Sequence, residues 1–125
     1  MSFLTPAPLL AVGCLAAALL VVNNLRDRVQ DAAVGKGTLA VRFGARFARR
    51  QYVVLLLVAY AVPVTVTLVG GGGPGWLLPI ATAPGAAALA SQVARRDGAS
   101  LNRTLAATGR LGLAFGALLS VGVLL

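Results

Sequence analysis

"NNLRDRVQDAAVGKGTLAVRFG", residues 23–44, breaks an otherwise oily chain with Asp27 and Asp31 four residues apart, several cations and a run of glycine and asparagine. What lies on either side decides how it is read. An apolar span, Ser2 to Val22, precedes it, and three more follow at 52–69, 76–94 and 105–125. A helix needs ~20 mainly apolar residues to cross the hydrocarbon core of a bilayer, and each span is near that length. Backbone groups left unpaired in lipid are so costly that helix is the form these spans must take. The sequence therefore predicts an all-α, polytopic transmembrane bundle of about four helices, in a single membrane domain over residues 1–125. The helices are expected at about 2–22, 52–69, 76–94 and 105–125, and residues 23–51 form the connecting motif loop.

Composition points to the same solvent. Hydrophobic residues make up 58% of the chain, charged residues only 11%, and the mean hydropathy is +0.88, far more apolar than a soluble domain of this length requires. Seven of the eleven cations fall between Arg26 and Arg50 and the other four between Arg95 and Arg110. The three acids, Asp27, Asp31 and Asp97, share those two windows. With basic linkers after the first and third spans, both lie on one side of the membrane. The excess of Arg and Lys makes that side cytoplasmic, which implies a multi-pass protein of the cell (inner) membrane. A net charge of +8 on a soluble basic face would suggest nucleic acid, but here apolar runs separate the basic windows, so no nucleic-acid partner is expected. The first span lacks the basic start of a signal peptide and reads as a retained helix. The single Cys14 excludes an intrachain disulfide. "GGGGPG" at 70–75 has no Lys-Ser/Thr after it and reads as a hairpin between helices, not as a phosphate loop.

If the first helix continues into the polar stretch, Asp27 and Asp31 stack on one face about a turn apart. Like charges at that spacing repel unless a cation lies between them. A hard divalent ion suits them, because Mg²⁺ commonly takes one or two carboxylates and completes its shell with water and substrate phosphates. Asn24 falls a turn before Asp27, and Asn23 two turns before Asp31, so either amide oxygen could join. Lys36, between Gly35 and Gly37, offers a mobile cation beside bare backbone, which suits a phosphate oxygen. Downstream, "TLAVRFGARFARR" places Leu39, Phe43 and Phe47 at helical spacing with Arg42, Arg46, Arg49 and Arg50 on adjoining faces. This is an interfacial pattern, and anchoring to membrane lipid headgroups accounts for Arg46, Arg49 and Arg50 as well as substrate contact does.

The same stretch closely resembles the second aspartate-rich motif of the UbiA-type membrane prenyltransferases, and most of all their menaquinone branch, the 1,4-dihydroxy-2-naphthoate polyprenyltransferases. Asn23, Asn24, Arg26, Asp27, Asp31, Gly35, Lys36, Thr38, Leu39, Ala40, Arg42 and Gly44 carry the likeness, and "LNRTLAATGRLGLAFGALLSVGVLL" at 101–125 is similar to the branch's last helix. The resemblance implies transfer of a polyprenyl group from polyprenyl diphosphate to 1,4-dihydroxy-2-naphthoate, forming demethylmenaquinone. It implies Asp27 and Asp31 as Mg²⁺ ligands with Asn24 in support, and Lys36 and Arg42 as diphosphate contacts. The family also needs a first aspartate-rich motif on earlier helices, and this chain has no second acidic cluster; Asp97, alone in "RRDG", reads as a surface turn. The chain is therefore expected to be the carboxyl-terminal portion of such an enzyme, inactive by itself, with the first motif on a missing segment or a separate chain. Two other classes compete: a small four-helix membrane transporter, which should carry an acid inside a span and does not, and a non-catalytic membrane subunit.

Overall fold

A computed structural model describes residues 6–125; Ser2–Thr5, which open the first expected span, lie outside the described residues. Among the described residues there is no strand, and four helical segments are long and apolar enough to cross a membrane. Helix α1 is Ala7–Ala33 and α2 is Leu39–Val69. A 3₁₀ segment, Pro74–Thr82, runs into α3, Ala83–Arg95, and the two together make the third crossing. A one-turn 3₁₀ segment, Gly98–Leu101, leads into α4, Asn102–Leu124. Large side chains such as Leu9, Leu57, Leu68 and Leu113 remain exposed, which suits lipid or further helices and not water.

The boundaries of the polar stretch need correction. Residues 23–51 are not a loop: α1 continues from Asn23 to Ala33, α2 starts at Leu39, and only 34–38 between them are non-helical. Leaving the apolar run removes hydropathy but not helix propensity, and Leu25, Arg26, Arg28, Gln30, Ala32 and Ala33 are good helix formers. The helix stops where glycine allows a left-handed residue. Gly35 has φ 79°, its N–H donates to the Ala32 carbonyl at 3.2 Å, and the Lys36 N–H donates to the Asp31 carbonyl at 2.8 Å. That pair of bonds closes the last turn and fixes where Lys36 emerges. Thr38 then caps α2 by accepting from the Val41 N–H at 3.3 Å. Within α2, Gly44 breaks the helix at φ 90°, ψ 174°, a conformation that only glycine adopts without strain. The short piece Leu39–Phe43 is thereby set off from the long membrane helix, although the Phe43 and Phe47 rings still meet with centroids 5.0 Å apart.

Helix α1 packs chiefly along α2, and α4 lies against both α1 and the 3₁₀ segment. Without a hydrophobic effect in lipid, such contacts depend on close approach, so small residues mark them. Gly109, Gly112 and Gly116 of α4 face Leu19, Leu15 and Val12 of α1, the order expected of antiparallel helices; a Cβ on each would meet its partner at 3.9 Å. Gly75 and Gly122 approach more closely still, since a Cβ on Gly75 would stand 2.5 Å from the Gly122 carbonyl oxygen. Val22, Leu25, Tyr52, Leu101 and Phe115 are fully buried between the elements. The Tyr52 hydroxyl meets Thr108 Oγ1 at 2.9 Å, and Thr108 donates to the Thr104 carbonyl at 2.7 Å, so no buried side-chain polar atom is left unpaired among the described residues.

Candidate functional site at the basic end of the bundle

Asp27 and Asp31 share the last turns of α1, beyond its apolar part. The two carboxylates differ in their surroundings. Arg26 holds Asp27 with two bonds, Nε to Oδ1 at 2.8 Å and Nη2 to Oδ2 at 3.1 Å, and reaches Asn23 Oδ1 at 2.7 Å. Its remaining nitrogen, Nη1, donates to Asn102 Oδ1 at the start of α4, 3.2 Å away. Asp31 is half-buried and has no side-chain hydrogen bond or ion pair among the described residues. Lys36 follows directly from the helix-closing turn and is exposed. Arg42 folds back over the same turn, because a Cβ on Gly37 would lie 3.3 Å from its Nε. The structure thus sets the Arg42 guanidinium over Gly37, next in sequence to Lys36, beyond the end of the helix that carries the aspartates.

Asn24 stands three residues before Asp27 on α1. It lines a small pocket of about 100 Å³ with Leu39, Ala40 and Gln51, whereas Asp27 lines a groove of about 590 Å³ with Arg26, Asp97 and Asn102.

Several groups of this end gave no sign of their role in the sequence. Arg28 grips Asp97 through both guanidinium nitrogens, Nη1 to Oδ1 at 2.5 Å and Nη2 to Oδ2 at 2.8 Å, and also donates to the Leu25 carbonyl at 3.0 Å. Asp97 is therefore more than the surface turn expected of it. It also caps the 3₁₀ turn by accepting from the Gly98 N–H at 2.8 Å, while Ser100 Oγ accepts from its own N–H at 3.0 Å. The Arg28 guanidinium and the Gly98 N–H pull the Asp97 carboxyl down to about 2. Arg26 and Arg28 flank the fully buried Leu25 and tie α1 to the α3–α4 turn from both sides. Arg49 caps α3 from α2, donating to the Val93 carbonyl at 2.9 Å and the Arg96 carbonyl at 3.0 Å. It has a structural partner; among the described residues Arg46 and Arg50 have none. These contacts place both basic linkers at one end of the bundle.

The donor set fits a hard cation as part of a site. Two carboxylates a turn apart, with no sulfur or imidazole donor nearby, suit Mg²⁺, which keeps waters and shares phosphate oxygens. Among the described residues no cluster of three or more Asp, Glu, His or Cys side chains exists.

The model of the family described as the UbiA prenyltransferase family matches residues 2–119. The 1,4-dihydroxy-2-naphthoate octaprenyltransferase of Haemophilus influenzae is 54% identical over 52 residues, which are 42% of this chain and 17% of that protein. The Escherichia coli protein of the same name is 50% identical over 50 residues, 40% of this chain and 16% of its own length. Each match covers less than a fifth of the relative. No solved structure matches the chain.

Proposed function

The chain belongs to the UbiA prenyltransferase family, and from that premise we propose that it supplies one half of a membrane site transferring a polyprenyl group from polyprenyl diphosphate to an aromatic acceptor. The relatives' names point to 1,4-dihydroxy-2-naphthoate as the acceptor and so to demethylmenaquinone as the product. One observation supports the reading: a single helix end presents Asp31, unpaired among the described residues, with Asp27 a turn before it, Lys36 on the turn that closes the helix, and Arg42 of α2 folded over that turn. Asp27 and Asp31 would hold Mg²⁺, which when bound offsets the charge of the departing diphosphate. Lys36 and Arg42 donate to the diphosphate oxygens, and their charge grows in value as negative charge accumulates there. Arg26 keeps the Asp27 carboxylate ionised and fixes its orientation. The basic end faces the cytoplasm, in the inner membrane. A segment or chain bearing the first aspartate-rich motif completes the site, and without it this chain is inactive.

The test is binding of farnesyl diphosphate to the purified chain in nanodiscs, with and without Mg²⁺. Saturable binding should require Mg²⁺ and fall by tenfold or more in Asp31→Asn and Asp27→Asn, with helix content by circular dichroism unchanged. Unaltered Mg²⁺-dependent binding in the double variant would refute the site. Binding indifferent to Mg²⁺ would point instead to a non-catalytic membrane subunit.

A further inference from the structure

A second feature lies on the other side of the basic end. Helices α2 and α3 leave between them a groove of about 520 Å³, lined by Arg46, Arg49 and Arg50 at its mouth and by Val53, Ala90 and Ala94 below. A further groove of about 250 Å³ shares Val53 and Ala90 with it and continues past Leu57 and Ala86 to Tyr60. The two form one trough, cationic at the basic end and apolar along the rest. Its chemistry is split among the three arginines. Arg49 is committed to the carbonyls of Val93 and Arg96, while Arg46 and Arg50 are exposed and have no hydrogen-bond or ion-pair partner among the described residues. The trough shares no lining residue with the Asp27 groove, which is built from α1 and the α3–α4 turn.

From this we infer that the α2–α3 trough is a binding site for one anionic glycerophospholipid, its phosphate on Arg46 and Arg50 and an acyl chain lying along Val53, Leu57, Ala86 and Ala90. Two arguments select this occupant. The first is charge: two free guanidinium groups at the membrane surface attract a phosphodiester, each worth about a factor of five at an anionic surface. The second is length. Arg50 to Tyr60 is ten residues of helix, about 15 Å at ~1.5 Å per residue, which is the depth of one leaflet of a ~30 Å hydrocarbon core. The alanines of α3 keep the floor low enough for a chain to lie in it.

The inference does not depend on the proposed reaction and is tested apart from it. The full chain is reconstituted in phosphatidylcholine nanodiscs with trace spin-labelled phosphatidylglycerol or spin-labelled phosphatidylcholine, and the immobilised component of the spectrum is compared. Phosphatidylglycerol should be favoured on the order of tenfold. The preference should vanish in the Arg46→Gln/Arg50→Gln variant and survive Arg103→Gln/Arg110→Gln, which removes two cations elsewhere. Ala90→Phe, or Ala94→Phe one turn nearer the arginines, fills the trough while keeping both charges, and should also abolish it. Equal immobilisation of the two lipids by the unmodified chain overturns the site. A preference that persists in both filling variants reduces the effect to diffuse charge, and stoichiometric displacement of the label by farnesyl diphosphate would assign the trough to that molecule instead.

Discussion

The Arg28–Asp97 pair joins the motif helix to the turn before α4, and its strength can be worked from its surroundings. Two short bonds, 2.5 and 2.8 Å, make a bidentate contact, the stronger geometry for such pairs. Against that, the Asp97 side chain is 54% exposed and Arg28 22% exposed. Solvent therefore screens most of the gain, and the pair contributes about 1 kcal/mol or less. The sign of the pH dependence follows from the carboxyl, held at about 2 when folded against an ordinary 3.8. A depressed carboxylate stabilises fully above its unfolded value, and that stability fades as pH falls from about 4 towards about 2. The perturbation is Asp97→Asn alone, Arg28→Gln alone, and both together, with unfolding in dodecylmaltoside followed at constant ionic strength. The expected coupling energy is about 0.5–1 kcal/mol. The difference between the unmodified chain and Asp97→Asn should shrink on acidification. Additive single effects, or a difference that stays constant between pH 6 and pH 2.5, would refute the reasoning.

Two further substitutions examine the packing that holds the basic end in place. Gly122→Ala drives a methyl into the Gly75 carbonyl, against which the backbone has no room to yield, and should cost about 1–3 kcal/mol in the same unfolding assay. Gly112→Ala meets Leu15 at an ordinary 3.9 Å and should change little. Thr108 spends its single proton on the Thr104 carbonyl, so Tyr52 must be the donor between them. Thr108→Val then strands a buried phenol at a cost of about 1–3 kcal/mol. Tyr52→Phe loses only the bond, about 1 kcal/mol, and the double variant should resemble Tyr52→Phe; equal single effects would show that the donor is assigned the wrong way round.

The spans were legible because the bilayer leaves a chain little choice. An apolar run of crossing length in lipid must be helix, and Ala7–Val22 and the last three crossings follow from that alone. The polar stretch obeyed another rule. Hydropathy reports the solvent a residue sits in, not its conformation, so the apolar run ends at Val22 while the helix goes on to Ala33. The true stop, Gly35 with its helix-closing bonds, was written in the sequence as a glycine after a run of helix formers. What sequence could not supply was the pairing. With eleven cations and three acids, local spacing cannot say which arginine takes which carboxylate, because the choice is made between helices that meet only when packed. Arg26 and Arg28 engage Asp27 and Asp97, and Arg49 spends its charge on carbonyls. The balance then bears on function. Asp31, Lys36 and Arg42 form no salt bridge among the described residues; Asp31 and Lys36 lie at the end of α1 and the turn that follows, and Arg42 of α2 reaches back over that turn. In the function proposed above, that helix end would meet a divalent cation through its two carboxylates and a diphosphate through Lys36 and Arg42.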